Sequence, residues 1–336
     1  MTVLAGFWGI VLGAALIWVG RALVLECRRD RIPILCYHRF VAKAAVESGE
    51  VADAEMGWVC YDETLRGHLD YLDRNGYTTL DLDALLEIQA GRQVRPKRPV
   101  VLTMDDGYRS NYSIAFPLLR ERGQVATIYV ALEPDAHTRG QVSGVDSFLN
   151  EEELREMSRF GISIQSHTLT HSILTELSDE AVDFELHESR RRLEEILGLS
   201  VEHVCFPRGG VDRRIRRAAV AAGYRSASGA SPGTFSGISS PHNLPRIMID
   251  RDMGVGEFRK LLESPQRIGN RLTGELKGAL RSLIGARRMR RWRDVLYQER
   301  FHSWVGAARL RRAVAASIGL SLILWVSVGW WVLHSS

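Results

Sequence analysis

Short apolar runs alternate with amphipathic stretches from Ile32 to Ile249, and this alternation limits the fold more than any other feature of the chain. Strands are expected over Ile32–Tyr37, Thr78–Leu82, Val100–Met104, Ala126–Val130, Ile162–Gln165, Val204–Phe206 and Leu244–Ile249. Helical spacing is read over Thr64–Asn75, Asp83–Ala90, Asn111–Arg122, Asn150–Arg159, Asp212–Ala222 and the stretch that Ser178 caps and Gly198 closes. Strand then helix, repeated, implies parallel strands with crossover helices, in an open doubly wound sheet or a barrel. Residues 39–60 lack periodicity and read as a long loop.

Charge separates the ends from the body. Gln266 to Arg312 holds thirteen Lys/Arg against three Asp/Glu, a local balance of +10 in a chain that is +4 overall, so the remainder is at −6. Val3 to Gly20 and Ala313 to Leu333 carry no charge, and each approaches the ~20 residues a helix needs to cross a bilayer. The first run has no preceding Lys or Arg and no small-x-small cleavage site, and Glu26 precedes Cys27, so an uncleaved anchor is expected rather than a signal or lipoprotein peptide. Arg21, Arg28, Arg29 and Arg31 follow the first run, while Arg309, Arg311 and Arg312 precede the second. Both sets face the central region, which the positive-inside rule places on the cytoplasmic side of a bacterial inner membrane. Cys27, Cys36, Cys60 and Cys205 show no metal or disulfide spacing, in keeping with a reducing compartment. The domain reading is a transmembrane anchor over 1–25, a catalytic domain over 32–262, a basic amphipathic juxtamembrane segment over 266–312 and a second span over 313–333.

Two motifs carry chemistry. Thr103-Met104-Asp105-Asp106-Gly107-Tyr108 sets adjacent carboxylates at the end of an apolar strand, where parallel β/α proteins place working residues. Neighbouring side chains there point different ways, so one carboxylate can bind a metal while the other stays free as a base. Asp-Asp-Gly is also good turn chemistry, and that reading stays open at this point. Ser166-His167-Thr168-Leu169-Thr170-His171 offers imidazoles at i and i+4, which one helical turn would set on one side, and which otherwise are two satisfied histidines. Carboxylate with imidazole suits a borderline divalent ion, zinc foremost with cobalt or nickel as alternatives.

The first motif resembles the T-F-D-D-G motif of NodB-type polysaccharide deacetylases (carbohydrate esterase family 4), and His167-Thr168-Leu169-Thr170-His171 resembles their H-[ST]-x-x-H motif. Cys205-Phe206-Pro207-Arg208-Gly209-Gly210, Leu244-Pro245-Arg246-Ile247 and the opening Pro33-Ile34-Leu35-Cys36-Tyr37-His38 are similar to motifs of the branch that deacetylates poly-N-acetylglucosamine, in which the motif with the catalytic histidine is permuted to the N-terminal end. The resemblance covers roughly residues 32–262. It implies a distorted (β/α) barrel, flanked here by the two membrane helices. It also implies a metal on Asp106, His167 and His171, with Asp105 as general base toward water and His38 as general acid toward the departing amine. Tyr108, through its backbone N–H, is implied as an oxyanion donor.

This chain departs from the pattern in three places. Met104 replaces Phe, a swap that conserves volume. Arg208 follows Pro207, whereas the family places its arginine before the proline, so Arg246 becomes the candidate to steer Asp105. No L-x-H pattern closes the domain, and His242 is the reserve for His38. His68 and His187, on charged amphipathic helices, read as solvated.

The expected partners are an N-acetylated glycan, membrane lipids and polysaccharide biosynthesis or export machinery. The arginines at 287–293 with Trp292 and Trp304 suit an anionic headgroup better than nucleic acid. The expected activity is a membrane-anchored N-deacetylase. Its rivals are a non-catalytic glycan-binding or scaffold subunit and an N-deformylase of a lipid-linked amino sugar.

Overall fold

The computed structural model describes residues 31–48, 59–134, 136–139, 147–251 and 253–263. Among these residues are ten strands: β1 (Ile34–Tyr37), β2 (Arg39–Val41), β3 (Val59–Tyr61), β4 (Thr78–Leu80), β5 (Pro99–Met104), β6 (Thr127–Val130), β7 (Ser163–Ser166), β8 (His203–Cys205), β9 (Ser226–Pro232) and β10 (Leu244–Met248). The main helices are α1 (Asp62–Arg74), α2 (Leu82–Gln89), α3 (Phe116–Glu121), α4 (Glu151–Arg159), α5 (Asp179–Leu197), α6 (Arg213–Ala221) and α7 (Val255–Glu263). Capping chemistry starts several of them. Asp81, Ser178 and Asp212 each accept from the backbone three residues on, and Asn150 with Glu153 forms a capping box.

Seven strands close into a parallel barrel in the order β1-β10-β9-β8-β7-β6-β5, and β5 returns to β1. β4 pairs with the first half of β5, at Thr78↔Pro99 to Leu80↔Val101, while β6 pairs with its end, at Thr103↔Thr127 and Met104↔Ile128. Side chains alternate along each strand. Val100, Leu102, Met104, Ile128, Val130, Ile164 and Val204 face the helix layer in the larger core. Ile34, Val101, Tyr129, Cys205 and Leu244 form the smaller interior cluster. Cys36, Thr103, Asp105 and Arg246 share the interior parity, so the lumen turns polar toward the C-terminal ends of the strands.

Several expectations are corrected. Residues 39–41 and 59–61 are not loop but a two-stranded parallel sheet, Arg39↔Val59 to Val41↔Tyr61, with a helical turn at Lys43–Glu47. Three-residue strands are too short to show a period. β9, Ser-Ala-Ser-Gly-Ala-Ser-Pro, carried no apolar signal. It needs none, because its Ser228 meets the Tyr129 hydroxyl (3.0 Å) and its Gly229 carbonyl faces Arg246, so other strands supply the bulk there. Asn111–Ala115 is a π-helical turn ahead of α3 rather than part of one α-helix. The apolar runs at 3–20 and 313–333 and the basic segment 266–312 lie outside the described residues, among which no helix is long and apolar enough to cross a membrane.

His187 is exposed as expected, beside Asp183 one turn earlier. His68 is not, and is fully buried. Its ring stacks on Phe258 of α7 (centroids 4.0 Å, planes 8° apart), a helix whose docking cannot be read from α1 alone. Met253 O can only accept, so Nε2–H donates to it (2.7 Å) and Nδ1 accepts from the Tyr37 hydroxyl (3.1 Å). Burial lowers the His68 pKa from 6.5 to about 4. A folded pKa below the unfolded one gives stability that is full above pH 6.5 and is lost as pH falls toward 4. Thermal melting across that window is expected to show a loss of about 3 kcal/mol that His68→Gln flattens; equal slopes in the two proteins would refute the assignment.

Candidate active site

The working residues gather at the C-terminal ends of β1, β5, β7 and β8. Asp105 and Asp106 follow β5, which is buried throughout. The Asp105 N–H bonds the Tyr37 carbonyl (3.0 Å), which ties the end of β5 to the end of β1 and brings His38 alongside. Asp106 takes a left-handed φ of 74° and Gly107 one of 77°. A Cβ on Gly107 would lie 3.1 Å from Val130 Cγ1, so glycine serves both the backbone and the contact with β6.

His167 continues β7, its N–H bonding the Val130 carbonyl (2.8 Å). The helical turn expected for His167 and His171 is absent. Residues 167–171 form an irregular loop in which Thr168 (φ 66°) and His171 (φ 64°) are left-handed, and this reversal rather than helical pitch brings the imidazoles together. Glu185 of α5 holds the loop by accepting from the N–H groups of Leu169 (2.9 Å) and Thr170 (3.0 Å) and from the Thr170 hydroxyl. Glu185 was missed in the sequence. Its signal was a carboxylate on the apolar face that Val182, Leu186 and Leu193 define.

His167 Nε2 and His171 Nε2 lie 3.2 and 3.1 Å from the same oxygen of Asp106, all three residues being buried. Ligand atoms around a tetrahedral zinc with bonds of about 2.0–2.1 Å sit roughly 3.3 Å apart, so this spacing fits one small divalent ion. The other ring nitrogens agree. His167 Nδ1–H donates to the Cys205 carbonyl (2.7 Å), and His171 Nδ1 meets the buried Thr138 hydroxyl (2.9 Å), partners that orient both rings with Nε2 toward Asp106. Nothing in the sequence distinguished Thr138. Burial alone would raise Asp106, but the two imidazoles hold it well below the usual carboxylate range.

Asp105 has a different environment. Arg246 reaches it from β10 with a two-pronged contact, Nη1 to Oδ1 at 2.6 Å and Nη2 to Oδ2 at 2.8 Å. The thiols of Cys36 (3.6 Å) and Cys205 (3.5 Å) also face Oδ2. Burial keeps both thiols protonated, as donors. Burial would raise Asp105 too; the guanidinium outweighs it and brings the pKa down to about 2. His38 Nε2 stands 3.9 Å from Oδ2. Burial lowers the His38 imidazole against the pull of Asp105 and Asp106, so its neutral form prevails at neutral pH.

The remaining candidates separate. Tyr108 is buried with its ring stacked on Phe148 (5.3 Å), and the bonds of their strand bridge run through Gly107 and Arg109. Arg208 makes no contact with Asp105, a place Arg246 fills. His242 lies before β10 at the opposite end of the barrel, its Nε2 bonded to the Tyr224 carbonyl (2.9 Å).

Known proteins resemble this chain in sequence and in fold. The sequence profile of the family described as Polysaccharide deacetylase matches residues 92–227. YxkH of Bacillus subtilis (strain 168), named for the same family, is 28% identical over 235 residues, 70% of this chain and 77% of that protein. Poly-beta-1,6-N-acetyl-D-glucosamine N-deacetylase of Escherichia coli (strain K12) is 39% identical over 56 residues, 17% of this chain and 8% of that protein. In fold, the Streptococcus pyogenes deacetylase PplD, solved in complex with acetate, superposes with a TM-score of 0.61 at 22% identity over 69% of this chain and 98% of its own. The profile match thus gives the chain a polysaccharide deacetylase domain of the NodB type (carbohydrate esterase family 4), and the barrel has the fold of a solved deacetylase.

Proposed function

We propose that this protein removes N-acetyl groups from an N-acetylated sugar in a polysaccharide or lipid-linked glycan, with a divalent ion, zinc by its donor set, on Asp106, His167 and His171. The convergence of two imidazoles on one Asp106 oxygen, with Asp105 and His38 beside them, carries the reading. When bound, such an ion polarises the amide carbonyl and makes water a stronger nucleophile.

Asp105 is the base. Arg246 fixes both its oxygens, so the carboxylate meets the water in one orientation and spends nothing on reorganisation during the reaction. Oδ2 also carries two thiols and faces His38, which leaves Oδ1, with Arg246 alone, as the oxygen that takes the water proton. His38 Nε2 stands 3.9 Å from Asp105, beyond a direct hydrogen bond, so a proton passes between the carboxyl and the neutral imidazole by way of a bridging water or the substrate nitrogen. His38 then protonates the nitrogen as the carbon–nitrogen bond breaks, and acetate and a free amino sugar result.

The uncharged runs at 3–20 and 313–333, with the arginines at their inner flanks, support anchoring in a cell membrane with the catalytic domain on the cytoplasmic side. A glycan still attached to its lipid carrier is then the accessible substrate, and the polysaccharide assembly machinery the neighbour. A reporter fused after Arg31 should be active only in the cytoplasm; activity only outside would reverse the orientation.

Dialysis against a chelator should abolish acetate release from N-acetylglucosamine oligomers, and zinc should restore it. Asp105→Asn is expected to lower kcat by about 10²–10⁴-fold while metal content stays at one ion per chain. His171→Ala should lose the ion, and Thr138→Val should weaken its binding by about 10–100-fold, with Thr138→Ser close to wild type. A zinc-loaded wild type that releases acetate neither from these oligomers nor from a lipid-linked N-acetyl sugar would sink the proposal, and release of formate instead would reassign the acyl group.

A further inference from the structure

Four non-glycine residues among those described hold left-handed backbone: Asp106, Thr168, His171 and Arg208. Such conformations cost free energy and persist where the surroundings impose them, most often around working sites. Asp106 and His171 belong to the metal cluster, and Thr168 lies in the loop between its two histidines. Arg208 (φ 53°) is the fourth, and neither the cluster nor the Asp105 base uses it.

Its position is set from two sides. The turn that carries it leaves β8 at Cys205, whose carbonyl holds His167 (2.7 Å) and whose thiol faces Asp105 (3.5 Å). The turn ends at Gly210, which packs against the loop beyond His171, so closely that a Cβ there would lie 3.0 Å from Ile173 Cγ2. Arg208 therefore sits at the rim of the site, between the chain that orients one metal ligand and the chain that follows the other. Its side chain is exposed, and among the described residues it makes no hydrogen bond, ion pair or ring contact. Several arginines around this end of the barrel are paired, Arg246 with Asp105, Arg109 with Glu153, Arg214 with Asp179 and Arg192 with Glu133, whereas Arg208 is not.

We propose that Arg208 is a specificity-determining residue that pairs with an anionic group of the glycan, a carboxylate or a phosphate, next to the N-acetyl sugar whose amide is hydrolysed. This rests on the deacetylase reading above. The guanidinium presents a rigid fork of donors that matches the paired oxygens of either anion. A neutral sugar would leave that charge unpaired while covering it, which costs free energy. Selection also runs the other way, since a neighbouring sugar already deacetylated carries an ammonium that Arg208 repels.

The test uses the full-length, zinc-loaded chain and three probes: an N-acetylglucosamine tetramer, a tetrasaccharide alternating N-acetylglucosamine with glucuronate, and N-acetylglucosamine 1-phosphate. Acetate release should show kcat/KM about tenfold or more higher on at least one anionic probe than on the tetramer. The preferred probe tells carboxylate from phosphate. Arg208→Gln should erase most of that ratio through KM, Arg208→Lys should keep part of it, and Arg208→Glu should invert it. Arg208→Gly should melt no lower than wild type, because glycine adopts this backbone freely, while the ratio is lost all the same. No preference in the wild type, a ratio untouched by Arg208→Gln, or a lower melting temperature for Arg208→Gly would each overturn the assignment. Inactivity on all three probes and on a lipid-linked N-acetyl sugar with zinc bound would instead remove the deacetylase reading, and this one with it.

Discussion

The pairing of β5 with β1 is the constraint on which the rest of this structure depends. Ile34 to Tyr37 lie against Val101 to Met104 in parallel register, and that pairing turns a seven-strand sheet into a ring. An open sheet with the same connections would put β1 and β5 at opposite edges. His38 would then stand far from Asp105, and Arg246 on β10, whose Ile247 pairs with Leu35, would be carried away with it. Closure gathers Asp105, its guanidinium partner Arg246, His38 and the Asp106, His167 and His171 cluster at one mouth, and the Asp105 N–H to Tyr37 carbonyl bond extends the same ladder into the site.

Closure also creates an electrostatic problem. Two carboxylates, three imidazoles and a guanidinium are packed into a nearly dry volume, where an unpaired charge is expensive. Each charge is met specifically. Arg246 faces Asp105, two imidazoles face Asp106, and two neutral thiols from opposite walls fill the space at Oδ2. The carboxylates thereby acquire separate roles from environment alone. One is held by a rigid cation and stays available to water, and the other lies within a ligand triangle.

Much of the architecture was legible because it rests on local physics. Buried parallel strands require apolar runs, and helices require caps and stop signals; the runs ending at Met104, Val130 and Cys205 and the caps Asp81, Asn150, Ser178 and Asp212 show these directly. β9 was illegible because it contributes space rather than bulk, and β2 and β3 because three residues establish no period. His68 looked solvated because the charges on α1 reveal one face of that helix, while Phe258, nearly 200 residues later, covers the other.

By itself the sequence determined the chemistry on offer, with adjacent carboxylates at a strand end, two histidines four apart and an arginine displaced from its usual motif to Arg246. These are covalent neighbours, and their spacing is written in the chain. Only the tertiary structure decided which atoms face one another: that His167 and His171 meet through left-handed backbone rather than helical pitch, that Glu185 and Thr138 hold them, and that Arg208 is left at the rim without a partner. Those outcomes depend on contacts between residues far apart in sequence and on the backbone cost of Asp106, Thr168, His171 and Arg208, which the closed barrel sustains and no local pattern encodes.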